Sequence, residues 1–299
     1  MDLKKRVIAL GFFDGVHKGH GALLAAVAET ARRLNASATA FTFDRSPSAY
    51  ITGDSVPLLT TVDDRAWLMR SLYGIEEVVV SNFDRMMRLD WRDFITDYLI
   101  RDLNVAHVVA GHDFHFGYMG KGNPVRLRES CQELGIGCDI IQKVEQDGIT
   151  ISSTYIRSLI AQGEMAHALE FLGHPHILTG TVRHGQKLGG NTLGFPTVNL
   201  IIPQNVVIPA FGVYATKVYL GAECHVAVTN VGVRPTVSQD NSKVTVEGYL
   251  LDYAGDLYGK ELRIEFYTRL RGEKKFSSLH ALSEEIAHNA DQTRAYFSE

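Results

Sequence analysis

The chain predicts an α/β domain followed by an antiparallel β-barrel domain with a terminal helix, and three observations carry that fold. In the first half, short apolar runs alternate with stretches of helical spacing, as in a parallel sheet with right-handed crossover helices. From about Thr179 the runs are short, β-rich and separated by Gly, Pro and Asn, as in an antiparallel barrel or sandwich. Between them, LGHPHILTG (172–180) carries the breakers Gly173 and Pro175, which places the domains at 1–173 and 174–299.

Each element follows from its own residues. Val7–Leu10 is a continuous apolar run and reads as a buried strand. Over residues 21–34, Leu23, Leu24, Val27, Ala28, Ala31 and Leu34 recur at helical spacing. The reading continues with a strand at 39–43, a helix around 63–73, a strand at 77–81, a helix over 91–103, a strand at 107–111, a helix over 124–134 and a strand within 138–143. In the second half, TGTVRHG, VYATKVYL, CHVAVTNVG, VTVEGYLL and ELRIEFYTRL read as strands. A last helix follows, with Leu279, Leu282, Ile286 and Ala290 expected on one face. There is no internal repeat and no low-complexity tract.

Composition bounds the function. A chain of 299 residues with 45% hydrophobic and 21% charged residues can pack two cores. A net charge of −4 argues against a nucleic-acid partner or a membrane-surface role. Cys131, Cys138 and Cys224 have no CxxC spacing and read as free thiols of a reducing compartment, hence a cytoplasmic protein. The start MDLKKRVIALGFF breaks its apolar run at Gly11 and Asp14, too early for a signal sequence. No run reaches the length of a membrane span.

GFFDGVHKGH (11–20) stands where the first strand turns into the first helix. Backbone N–H groups at a helix N-terminus bind phosphate. Gly11, Gly15 and Gly19 let a ligand approach, and His17 and His20 are spaced to share one face. By itself HxxH fits a capping pair as well as a phosphate site. GHDFHFG (111–117) also follows a strand end, where ligands of open α/β sheets sit.

FDGVHKGH (13–20) resembles the HxGH nucleotidyltransferase signature in the form found in prokaryotic bifunctional riboflavin kinase/FMN adenylyltransferases. ISSTYIR (151–157) resembles that family's second phosphate motif and GHDFHFG its GxDFxFG loop. LGFPTVN (193–199), NVGVRPT (230–236), VEGYLLD (246–252), DLYG (256–259) and RGEKKF (271–276) resemble, in order, its riboflavin kinase module. The likeness covers nearly the whole chain.

The resemblance implies a Rossmann-like domain that transfers the adenylyl group of ATP to FMN, giving FAD and pyrophosphate, and a barrel domain that phosphorylates riboflavin to FMN. In the first, His17, His20 and Arg157 are the catalytic residues. Gly11, Phe13, Asp14, Gly15, Ser152, Ser153 and Thr154 lie along the ATP phosphates. SST reads equally as a helix cap, and a cap and an anion site use the same N–H groups. Asp113, Phe114 and Phe116 lie toward the flavin, although aromatic residues after a strand are core by default and Asp113 also suits a turn.

In the second domain Glu247 is the general base, where an unselected strand glutamate would simply face solvent. Thr197 and Asn199 share a face two residues apart and are the candidates to hold Mg²⁺ with the ATP phosphates. Gly185, Gly189 and Gly190 form the phosphate flap, and Arg271 with Phe276 belongs to a flavin-side lid. The small-molecule partners are ATP, riboflavin and FMN, and homo-oligomerisation stays open.

The sequence departs from the family pattern in four places. TFDRSPSAY (42–50) lacks the histidine of a TFxPHP-like segment, with Arg45 and Ser46 there instead. Gly190-Asn191 lacks an arginine before LGFPT, and His115 replaces a frequent Arg. Glu285 and Asn289 stand where Gln and Asp are usual. Two alternatives therefore accompany the bifunctional reading: one activity only, or a flavin-binding regulator.

Overall fold

The structure is a computed structural model that describes residues 4–53, 56–183, 197–234 and 243–298. It divides into two compact units, Met1–Ser153 and Thr154–Glu299. The division falls ahead of the Gly173 and Pro175 breakers.

In the first unit β1 (Arg6–Leu10), α1 (Lys18–Leu34), β2 (Ser37–Phe43), α2 (Pro47–Thr52), α3 (Val62–Tyr73), β3 (Glu77–Ser81), α4 (Phe83–Met86) and α5 (Trp91–Asp93) follow one another. Then come a π-helical run, Phe94–Asp102, and β4 (Val105–Gly111), α6 (Pro124–Glu133) and β5 (Gly137–Ile141). The hairpin β6 (Glu145–Gln146) and β7 (Ile149–Thr150) ends the unit. The helix expected over 91–103 is thus one short α segment continued with i→i+5 bonding, which turns Phe94, Ile95 and Leu99 into the core.

The sheet is parallel, in the order β3-β2-β1-β4-β5. Val7, Ile8 and Ala9 of the central strand are fully buried, as a strand covered on both faces requires. Strand order reverses between β1 and β4, so the loops at 11–17 and 112–117 leave from the switch point where such sheets bind ligands.

The second unit holds most of α7 (Ser153–Gln162), then α8 (Met165–Leu172), β8 (His176–Arg183), β9 (Thr197–Ile201), β10 (Gly212–Leu220), β11 (Glu223–Arg234), β12 (Lys243–Leu250), β13 (Glu261–Arg271) and α9 (Leu279–Ser298). The strands close an antiparallel barrel in the order β10-β11-β12-β9-β8-β13. Tyr214, Thr216 and Val218 of β10 and Leu262, Ile264 and Phe266 of β13 are fully buried at every second position, so they fill the barrel. Ala290 of α9 packs on Val213, Val228 and Leu251 of the outer wall. The apolar stripe expected on α9 is only partly used: Leu279 is 61% exposed, and the buried residues are Asn289, Ala290 and Thr293. The start of the helix is held by ion pairs from Arg271 and Lys274 to Glu285 instead.

His176 opens the barrel with a buried imidazole whose Nε2–H donates to the Val207 carbonyl at 3.1 Å. Burial pushes its pKa down to about 4, against the pull of that carbonyl, and His174 adds to the lowering. The folded barrel therefore holds the neutral ring, whereas the unfolded chain protonates near 6.5. The stabilisation is complete above about pH 6.5 and is lost as pH falls toward about 4, about 3 kcal/mol in all. Urea denaturation of the full chain between pH 7 and pH 5 should show a steeper loss of stability in wild type than in His176→Gln. Equal slopes would remove this account.

Candidate active sites

The loop after β1 is held in a conformation most residues avoid. Phe13, Gly15 and Val16 have φ of 58°, 80° and 42°, and the left-handed region costs a residue with a Cβ about 1–2 kcal/mol. A Cβ on Gly15 would also come within 2.5 Å of Leu59 Cδ1. The restraint comes from Asp14. Its buried carboxylate accepts from Leu59 N at 2.9 Å, Thr60 N at 3.2 Å and the Thr60 hydroxyl at 3.4 Å. Gly15 N donates to Thr60 Oγ1 at 3.1 Å. Asp14 thus shapes the loop by tying it to Leu59 and Thr60. Phe13, 1% exposed, is likewise buried.

His17 caps α1: its Nδ1 accepts from His20 N at 3.2 Å. That nitrogen carries no proton, so Nε2–H is the donor of a neutral ring. The two imidazoles stack with centroids 3.6 Å apart and planes 13° apart. Gly19 makes room, since a Cβ there would sit 3.1 Å from the His17 ring. Phe13 meets His20 edge-on at 5.3 Å. Burial holds the His20 pKa well below its usual value, with His17 and Arg65 adding to the effect. The capping pair thus sets two stacked imidazoles beside the N-terminus of α1, a position whose backbone N–H groups and dipole favour an anion.

Ser153 Oγ donates to the Asp14 carbonyl at 2.9 Å, tying the first residue of α7 to the same loop. Ser152 precedes the helix, and within α7 Arg157 Nη2 donates to Thr154 Oγ1 at 3.0 Å. After β4, Asp113 is exposed. Phe114 stacks on Phe116 at 5.6 Å. Phe116 is 6% exposed and belongs to the core with Phe94 and Leu127. Phe114 is the more accessible of the two, being partly buried.

In the barrel, register pairs build one row across the wall. Arg183 opposes Asn199, Asn199 opposes Glu247, Glu247 opposes Asn230, Asn230 opposes Val213 and Val213 opposes Arg271. Directly opposed residues share a face. Val246, Gly248 and Leu250 are buried while Glu247 and Tyr249 are half-buried, so the row lies on the outer face. Thr197, two residues before Asn199, shares that face and opposes Tyr249. The structure thereby gathers Asn199, Glu247 and Arg271 and adds Asn230 and Arg183, to which sequence reading assigned no role. Gly185, Gly189, Gly190 and Asn191 lie outside the described residues.

The departures acquire explanations. Ser46 caps α2 by accepting from Ala49 N at 3.3 Å, and Arg45 pairs with Asp84 at 3.4 Å. His115 Nδ1–H donates to the Asp113 carbonyl at 2.9 Å. Arg271 Nε meets Glu285 at 3.2 Å and Asn289 Oδ1 at 3.1 Å, and its guanidinium lies 5.5 Å from the Phe276 ring. Against a Gln and Asp pair, carboxylate and amide have changed places, and Arg271 still meets one of each.

Comparison with known proteins agrees with both halves. A family model described as FAD synthetase matches residues 1–155, and one described as riboflavin kinase matches 172–297. A Bacillus subtilis protein named bifunctional riboflavin kinase/FMN adenylyltransferase is 34% identical over 98% of this chain and 93% of its own length. An Escherichia coli protein of the same name is 35% identical over 97% of this chain and 92% of its own. A solved Streptococcus pneumoniae structure described as a macrolide-efflux protein superposes with a TM-score of 0.83 at 29% identity, covering 97% of this chain and 94% of that one. Among the described residues no helix is long and apolar enough to cross a membrane.

Proposed function

Because the chain belongs to the bifunctional riboflavin kinase/FMN adenylyltransferase family, we infer that it makes FMN from riboflavin and then FAD from FMN, using ATP in both steps. The observation that supports this reading is that one chain carries the stacked His17–His20 cap in one unit and the Asn199–Glu247–Asn230 row in the other.

In adenylyl transfer a phosphate oxygen of FMN attacks the α-phosphorus of ATP and the bond to pyrophosphate breaks. The nucleophile is already an anion, so no base is needed, and catalysis is positioning plus stabilisation of charge. His17 and His20 donate hydrogen bonds to phosphoryl oxygens, most strongly as charge builds in the transition state. Ser152, Ser153 and Thr154 hold the departing phosphates, with Arg157 as the permanent, forked cation. Gly11 and Gly15 keep the loop backbone close to ATP. Asp113 and Phe114 face the flavin.

In the second unit the 5′-hydroxyl of the ribityl chain attacks the γ-phosphorus of ATP, and ADP leaves. An alcohol is a weak nucleophile, and Glu247 accepts its proton as the bond forms. The strand ladder on both sides fixes the backbone that carries that carboxylate. The neighbouring donors suit Mg²⁺: Thr197 and Asn199 offer neutral hard oxygens. Thr197 and Asn199 would hold the ion, which when bound neutralises charge on the ATP phosphates. Arg271, braced by α9, closes on the flavin side. Both reactions belong in the cytoplasm, where the free thiols of Cys131, Cys138 and Cys224 stay reduced.

Purified enzyme given riboflavin, ATP and Mg²⁺ should form FMN and then FAD, and given FMN should form FAD directly. Chromatography of the flavins over time reads both. FMN without FAD, or FAD only from supplied FMN, would reduce the assignment to one activity. Tight flavin binding without either product would make the protein a regulator.

A further inference from the structure

Arg65 stands in the first turn of α3 yet is 0% exposed, among the largest fully buried side chains of the protein. Its Nη1 donates to Thr42 Oγ1 at 3.0 Å and to the Phe43 carbonyl at 3.3 Å. The guanidinium lies 4.2 Å from the centroid of the Phe12 ring. The Thr42 hydroxyl, accepting from Arg65, donates onward to the Phe12 carbonyl at 2.7 Å. Phe12 precedes Phe13, whose ring meets His20. A continuous set of contacts thus runs from Arg65 through Thr42 and the loop backbone to the stacked imidazoles.

Stability does not account for this residue. A buried cation is costly, and replacing a buried ion by an apolar side chain of similar size is often neutral or stabilising. Arg65 also leaves Nε and Nη2 buried with no hydrogen-bond partner, a further cost that Met or Leu would avoid. What an apolar residue could not supply is a hydrogen bond that aims the Thr42 hydroxyl and a fixed positive charge behind a phosphate-binding loop. In a buried setting that charge acts far more strongly than in water.

We propose that Arg65 is a positioning residue for adenylyl transfer, holding the loop 11–17 in its binding shape through Thr42 and Phe12 and lending its charge to the phosphate site. The proposal rests on the adenylyltransferase reading of the first unit. Arg65 is too deeply buried to touch substrate and acts through its neighbours. The groups around His20 are His17, the Phe13 ring and the charge of Arg65, with the Asp14 carboxylate acting in turn on Arg65.

Two variants test it, with FAD formation and riboflavin phosphorylation measured on the same preparations. Arg65→Met should lower kcat for FAD formation by about tenfold or more while KM for ATP changes by less than about threefold, the pattern of a lost transition-state contribution. Kinase turnover serves as the reference and melting temperature as the check on folding. The acid limb of the kcat profile should move to higher pH, because His20 loses one of the charges that oppose its protonation. Thr42→Val cuts the relay but keeps the charge, so kcat should fall by about tenfold with the acid limb in place. Arg65→Met turning over within about twofold of wild type would overturn the proposal. A Thr42→Val enzyme with wild-type kcat would also overturn it, even if Arg65→Met fails to fold. Wild-type enzyme that forms no FAD overturns the parent activity and the proposal with it, whereas normal wild-type turnover beside unaffected variants overturns the proposal alone.

Discussion

Glu247→Gln is expected to lower riboflavin phosphorylation by about 10²–10⁴-fold, the range a general base contributes, while FAD formation from supplied FMN continues at the wild-type rate. The substitution keeps the size of the side chain and its ability to hydrogen-bond, so the row with Asn199 and Asn230 can persist. Only the capacity to take the proton of the attacking hydroxyl is lost. The selectivity follows from the division of labour, since the other reaction uses a nucleophile that is already ionised. Separate assays with riboflavin and with FMN on one preparation read the two rates. A Gln enzyme with normal FMN production would dismiss Glu247 as the base and leave positioning alone to explain the kinase.

The converse effect is expected at His20. His20→Ala should reduce FAD formation by about 10²–10³-fold, as removal of a donor to developing charge does, with riboflavin phosphorylation intact. This position is the cleaner of the two histidines to change. The helix cap is made by the Nδ1 of His17 and the backbone N–H of residue 20, so an alanine keeps the cap and loses only the second ring. His17→Ala would lose the cap as well, about 1 kcal/mol of local stability, and would mix folding with chemistry. Should His20→Ala make FAD at the normal rate, the stacked pair would be a cap and nothing more.

Much of this was legible because local chemistry dictated it. The apolar run at Val7–Leu10 and the alternation after Thr179 were enough for the two fold classes, and HKGH marked the turn from strand to helix. The hairpin of β6 and β7 went unread although Asp147-Gly148 signals it, with φ of 52° and 75° at the turn. Other features have no local signal. Arg65 looks like any arginine of an exposed helix, because helical spacing says nothing of a cation drawn beneath a neighbouring loop. Phe114 and Phe116 differ only in which way the loop turns them. Asn230 joins Glu247 through strand register, and pairing between distant segments is settled by closure of the barrel rather than by either strand.

That closure sets an order of events during synthesis. The row around Glu247 draws on residues 183, 199, 230, 247 and 271, so it cannot exist until β13 has left the ribosome. The loop at 11–17 needs nothing beyond Ser153 for the contacts described here, and domains tend to fold as units, N-terminal first. A nascent chain therefore completes the contacts of the 11–17 loop well before the row around Glu247, the reverse of the order in which riboflavin would use them. A ribosome stalled past Arg157 would carry the residues proposed here to consume FMN but not those proposed to make it.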